Sequence, residues 1–114
     1  MRIGILGGSF NPPHKMHLRM AKELLDDGFL DKIIYVPTGS KYIYKNNLVS
    51  DQDRFNMLKI MIKDDKRLEV SDFELQTRNI YTYETLEYFK GVYLDDEIYF
   101  ILGTDNLTYV DRWK

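Results

Sequence analysis

The sequence predicts an α/β domain of three layers, with a mostly parallel sheet between helices. Three observations carry this expectation. Four short apolar runs, Arg2–Leu6, Lys32–Val36, Arg67–Val70 and Glu97–Leu102, recur along the chain. Stretches with helical spacing alternate with them. Glycine and proline steps punctuate the boundaries. Strands covered on both faces read as near-continuous apolar runs, and βα alternation calls for parallel crossovers.

The elements follow in order. Arg2–Leu6 reads as a buried strand ended by Gly7-Gly8. From about His14 to Asp27, Met16, His17, Met20, Ala21, Leu24 and Leu25 share a helical face, and Gly28 is a natural stop. Lys32–Val36 is a second buried strand, closed by Pro37-Thr38-Gly39. Ser40–Val49, rich in Lys, Tyr and Asn, has no clear period and reads as a loop. Ser50 with Asp53 resembles a capping box, and Phe55, Leu58, Met61 and Ile62 mark a second helix. Arg67–Val70 is a short third strand. Thr82 is placed to cap a third helix carrying Tyr83, Leu86 and Phe89, stopped by Gly91. Glu97–Leu102 is the fourth strand, ended by Gly103. Asp105 is placed to cap a last helix running toward Trp113.

Composition narrows the class. At 114 residues the chain reads as a single domain, large enough to bury about two-thirds of its unfolded surface. It is 44% hydrophobic and 30% charged, the balance of a soluble globular protein. A net charge of −2 provides no bulk positive field for a long nucleic acid. The tyrosines do not interleave with basic residues on one face, so no nucleic-acid platform is expected. Cysteine is absent, which excludes disulfides and thiolate chemistry. No apolar run approaches a membrane span and the apolar start is too short for a signal peptide, so a cytoplasmic location without membrane partners is expected.

The chemistry concentrates in Gly7-Gly8-Ser9-Phe10-Asn11-Pro12-Pro13-His14-Lys15-Met16-His17. A strand, a glycine turn and a helix start aim backbone N–H groups and the helix dipole at an anion. His14 and His17, three apart, share a helix face. Together they point to chemistry on a nucleoside triphosphate. A His-x-x-His pair also raises zinc, but the chain holds no third histidine or cysteine, so no metal site is expected. Ligands of such sheets sit at the carboxyl ends of the strands. That places Gly7–His17, Pro37–Lys45 and Gly103–Asp105 around one crevice.

This turn resembles the signature of the nucleotidyltransferase superfamily marked by a His-x-Gly-His tetrad, with His14 and His17 as the histidines and Met16 in the usual glycine position. Four further segments look like the bacterial nicotinate-nucleotide adenylyltransferase family. They are Val36-Pro37-Thr38-Gly39, Arg54 with Met57, Tyr81-Thr82-Tyr83-Glu84-Thr85-Leu86, and Ile101-Leu102-Gly103-Thr104-Asp105 followed by Trp113. The likeness runs from Arg2 to Trp113.

The resemblance implies a Rossmann-like three-layer sandwich with sheet order 3-2-1-4 and the family's fifth strand missing. It implies transfer of the adenylyl group of ATP to nicotinate mononucleotide, giving nicotinate adenine dinucleotide and pyrophosphate for NAD biosynthesis, with Mg2+ assisting. His14 and His17 would then be catalytic, donating to ATP phosphates. Gly8, Ser9 and Phe10 would hold phosphates, and Gly103 and Asp105 the adenosine part. Thr38, Lys45, Thr82 and Trp113 would line the mononucleotide site, with Lys41 a weaker candidate. Outside the resemblance, Asp105 and Thr82 also read as helix caps, Trp113 as packing, and Lys41 and Lys45 as solvated loop charges. Lys41-Tyr42-Ile43-Tyr44-Lys45 replaces the family's PPHK-like stretch, and Lys114 stands where an aromatic residue often follows the tryptophan.

Family members continue past this point with a fifth strand and a Ser/Thr-rich motif ending in arginine. The expectation is therefore a fragment or a weakly active protein, since a lost charged hydrogen bond to phosphate costs about 1.5–3 kcal/mol. The family's order would also leave the fourth strand on an apolar edge, to be covered by a fifth strand or by a second copy. Two rivals remain. One is another superfamily branch, such as phosphopantetheine adenylyltransferase or a cytidylyltransferase. The other is a nucleotide-binding module without turnover.

Overall fold

A computed structural model describes residues 1–10, 13, 15–39, 50–76, 80–102 and 106–109. The elements are β1 (Arg2–Gly8), α1 (Lys15–Asp26), β2 (Lys32–Pro37), α2 (Asp51–Ile62), β3 (Leu68–Val70), α3 (Thr82–Val92), β4 (Glu97–Leu102) and β5 (Asn106–Tyr109). They form one sheet in the order β3-β2-β1-β4-β5. The first four strands are parallel, β1 pairing with β2 from Ile3↔Lys32 to Gly8↔Pro37 and with β4 from Arg2↔Glu97 to Ile5↔Phe100. The expected order 3-2-1-4 is present.

The alternation of side chains across the pleat builds the three layers. Ile33 and Tyr35 of β2 join Leu6, Ala21, Leu25, Leu58, Ile62 and Ile101 in a core on the α1–α2 side. Ile34 and Val36, the intervening residues, join Ile3, Ile5, Leu86, Phe89 and Ile98 on the α3 side. Both faces of the central strands are covered, which explains their unbroken apolar composition.

Local chemistry sets most boundaries. Gly28 takes φ +89°, the left-handed conformation that closes α1, and its N–H donates to the Leu25 carbonyl at 3.0 Å. Ser50 caps α2: its hydroxyl accepts the Asp53 N–H at 3.1 Å, as the capping-box reading expected. At α3 the cap moves by one residue from the expectation. Tyr81 is the N-cap and Thr82 is already helical. The Glu84 carboxylate accepts the Tyr81 N–H at 2.8 Å, half of a capping box supplied from the third helical position. That bond sets the helix start, and the helix passes through Gly91 to Val92 instead of stopping there.

The largest difference lies after β4. The expected last helix is replaced by β5, antiparallel to β4 from Tyr99↔Tyr109 to Leu102↔Asn106. Three residues separate the strands, which allows a hairpin, whereas a parallel strand needs a crossover of about a dozen residues. A fifth strand is thus present in the chain. It also covers β4 over Tyr99–Leu102, so the bare apolar edge that called for a second copy is absent there.

Candidate functional site

The turns that follow β1 and β2 meet at the carboxyl edge of the sheet. The Thr38 N–H donates to the Gly8 carbonyl at 2.8 Å, continuing the ladder one step beyond the strands. Phe10 sits in the first turn with φ +47°, and among the described residues it is the one non-glycine residue with positive φ. This conformation brings Cβ against the following carbonyl and costs about 1–2 kcal/mol for an L-residue. Packing holds it there. The Phe10 ring is buried, edge-on to the His17 ring at 4.8 Å between centroids and tilted against Tyr35 at 5.6 Å.

His17 is half-buried in the first turn of α1. Its backbone carbonyl accepts the Tyr35 hydroxyl at 2.8 Å. Tyr35 is fully buried, and that burial pushes its phenol well above the ordinary value, so it remains a donor through neutral pH. Strand β2 therefore fixes the height of α1, and Phe10 fixes the face on which the His17 ring lies.

Under both turns lies the Arg54 guanidinium, with no exposed surface. One terminal nitrogen donates to the Ser9 carbonyl at 2.7 Å and to the Thr38 carbonyl at 2.6 Å. The other pairs with the Asp51 carboxylate, one helical turn back. A buried charge is tolerated only where it is paired and hydrogen-bonded, and here both conditions hold.

A second join ties the β2 turn to the connection between β3 and α3. A Cβ on Gly39 would lie 2.6 Å from the Glu74 carbonyl oxygen, so only glycine admits this approach. The Glu74 carboxylate accepts the Thr85 hydroxyl at 2.6 Å. Burial raises the Glu74 carboxyl above its ordinary range, and the Thr85 bond opposes that shift.

Five of the expected site residues are thus brought together, namely Gly8, Ser9, Phe10, His17 and Thr38. Thr82 is exposed in the first turn of α3, one turn before Thr85, and is joined to the crevice through Glu74 and Gly39. His14, Lys41, Lys45, Gly103, Asp105 and Trp113 lie outside the described residues. Met16, expected on the apolar face of α1, is instead 60% exposed at its N-terminal end. Ala21 and Leu25 carry the buried stripe.

Three residues that organise the site were given no role in it by sequence reasoning, although Arg54 belongs to one of the family-like segments. Tyr35 reads as one more apolar strand position. Glu74 lies in an aperiodic segment. Arg54 left a signal: with Leu58 and Ile62 it forms the buried stripe of α2, spaced four residues apart. A charge on an apolar stripe requires buried partners.

Known proteins are similar to this chain in sequence or in fold. A Caldicellulosiruptor bescii protein assigned as a nicotinate-nucleotide adenylyltransferase is 39% identical over 114 residues, covering 99% of this chain and 57% of the relative. A Vibrio parahaemolyticus structure assigned to the same activity superposes with TM-score 0.72 at 26% identity, covering 92% of this chain and 62% of the other. The Plasmodium falciparum nicotinic acid mononucleotide adenylyltransferase, solved with NaAD, shares the fold with TM-score 0.73 at 24% identity, covering 89% of this chain and 51% of the other. The chain spans a little over half the length of the bescii relative. The cytidylyltransferase-like family model matches residues 5–114, nearly the whole chain. The chain belongs to the cytidylyltransferase-like family.

Proposed function

We propose that this chain forms the ATP end of a nucleotidyltransferase site and transfers an adenylyl group to nicotinate mononucleotide. The observation that carries the reading is the strained Phe10 turn. It is held against His17 and joined through Gly8 to Thr38, at the position where the fold binds ligands. The names of the relatives favour a pyridine mononucleotide as acceptor.

In this reaction a phosphate oxygen of the mononucleotide attacks the α-phosphorus of ATP. The bond from that phosphorus to the bridging oxygen breaks, and pyrophosphate leaves with the electron pair. No covalent enzyme intermediate is required. The protein's part is positioning and stabilisation of charge on the equatorial and leaving oxygens. Peptide N–H groups of the first turn and the N-terminal end of α1 face that charge, and the His17 imidazole donates to it. Among the described residues no three His, Asp or Glu side chains converge on a cation. Mg2+ would enter with ATP, held largely by the substrate phosphates, as this ion often is. There it would neutralise the phosphate charge.

Incubation with ATP, Mg2+ and nicotinate mononucleotide is expected to yield the dinucleotide and pyrophosphate, identified by product mass. Phosphopantetheine in place of the mononucleotide is expected to give none. Turnover with phosphopantetheine alone would refute the assignment. Calorimetric binding of ATP without pyrophosphate release would make the chain a nucleotide-binding module. His17→Ala is expected to cut turnover at least about 100-fold, the scale of losing one transition-state donor. Its circular dichroism should be unchanged, because alanine is a strong helix former. Undiminished turnover in the folded variant would remove His17 from the mechanism.

A further inference from the structure

We infer that Arg54 is a positioning residue of the phosphate turn, acting through the two peptide units it grips. This rests on the reading that the crevice accepts phosphate. The geometry is specific. One buried nitrogen donates to the carbonyls of Ser9 and Thr38, which belong to turns after different strands. A trans peptide is planar, and its C=O and N–H point in opposite directions. Drawing the Ser9 carbonyl down onto Arg54 therefore turns the Phe10 N–H the other way. Drawing the Thr38 carbonyl down does the same for the Gly39 N–H. Both N–H groups are directed away from the buried guanidinium, toward the crevice side of the turns.

The charge adds to the orientation. A carbonyl bonded to a cation is polarised, and its peptide N–H becomes a stronger donor, the cooperative effect seen along hydrogen-bond chains. The guanidinium is fully buried, so water screens it little. Asp51, partly exposed, orients the guanidinium from below and offsets part of its charge. The planar fork of arginine engages Ser9, Thr38 and Asp51 at once, which a lysine ammonium on a flexible stem does not reproduce. The same grip holds Phe10 in its left-handed conformation, because the Ser9–Phe10 peptide plane is fixed at one side by Arg54 and the Phe10 ring at the other by His17 and Tyr35.

The test is a titration of the 15N-labelled 114-residue chain with inorganic pyrophosphate, followed by amide NMR. In the unmodified chain, the Phe10 and Gly39 amides are expected to shift with saturating pyrophosphate. Arg54→Lys is expected to bind pyrophosphate at least tenfold more weakly. Arg54→Gln, without the charge, should be weaker still. Asp51→Asn, altered at a partly exposed position, should stay folded and change affinity at least twofold. A merely structural role would lower the unfolding temperature and leave affinity, measured well below it, unchanged. The inference is overturned if the Phe10 and Gly39 amides of the unmodified chain do not respond. It is equally overturned if folded Arg54→Lys binds within twofold of the unmodified chain. Should both Arg54 variants fail to fold, the amide response and Asp51→Asn decide the matter. No acceptor or turnover enters this measurement, so a failed adenylyl-transfer assay leaves its outcome intact.

Discussion

Phe10 is subject to two opposing effects, and their magnitudes decide its role. Its positive φ costs about 1–2 kcal/mol. Its buried ring, in contact with His17 and Tyr35, is worth more: truncating a core phenylalanine costs about 3–5 kcal/mol. Phe10→Gly removes strain and ring together and is expected to destabilise the chain by about 2–3 kcal/mol, read from the urea midpoint. A glycine variant as stable as the parent would mean that the strain cancels the packing. At this scale the sequence is legible only in part. Gly8, Ser9, Phe10 and His17 could be read as one candidate site because a strand, a glycine turn and a helix start together mark an anion cradle. The φ of Phe10 could not, because a left-handed residue is normally signalled by glycine or asparagine. Arg54 and Glu74 act through long-range contacts, to Ser9 and Thr38 and to Thr85, which no local pattern encodes.

Helix α2 shows how an element delivers a residue. Its N-terminus is fixed by the Ser50 cap, and Asp51 and Asp53 place negative charge on the positive end of the helix dipole. Arg54 follows within that first turn, and its N–H donates to the Ser50 carbonyl at 3.0 Å. Ser50→Ala should cost about 1 kcal/mol, the usual value of such a cap. It should also speed hydrogen exchange at the Asp53 amide, which loses its acceptor. An unchanged exchange rate there would argue that the cap contributes nothing. Ser50–Asp53 was readable because capping is local. So were β1, β2 and β4, whose apolar runs reflect cover on both faces. The segment after β4 was not. Asn106-Leu107-Thr108-Tyr109 is too short to declare a period, and an acidic residue before it mimics a helix cap. Pairing with β4, a tertiary effect, decides its state.

For the molecule as a whole, two carboxylates set opposite pH dependences of stability. Asp65 accepts from the Arg67 side chain at 2.9 and 3.0 Å and from its N–H at 2.9 Å, which lowers its pKa to about 2. A group lowered in the folded state stabilises above its unfolded value, here 3.8, and the benefit disappears as pH falls through about 2. Because Arg67 is 43% exposed, solvent screening limits the effect to about 1 kcal/mol. Glu74 behaves in the opposite sense. Its burial raises the folded-state pKa, so the stability linked to it is complete below the unfolded value of 4.5 and declines as pH rises through the folded value. Glu74→Gln retains an acceptor for Thr85 and leaves in place the backbone carbonyl that abuts Gly39. It removes the need to bury a charge. The variant should therefore gain stability over the parent at pH 7, with the difference shrinking toward pH 4, while Asp65→Asn should lose stability at pH 7 and match the parent near pH 2. Urea unfolding of the three proteins across this range separates the two effects. A Glu74→Gln advantage that stays constant from pH 4 to pH 7 would show that Glu74 is not titrating in the folded chain, and that the gain comes from packing alone.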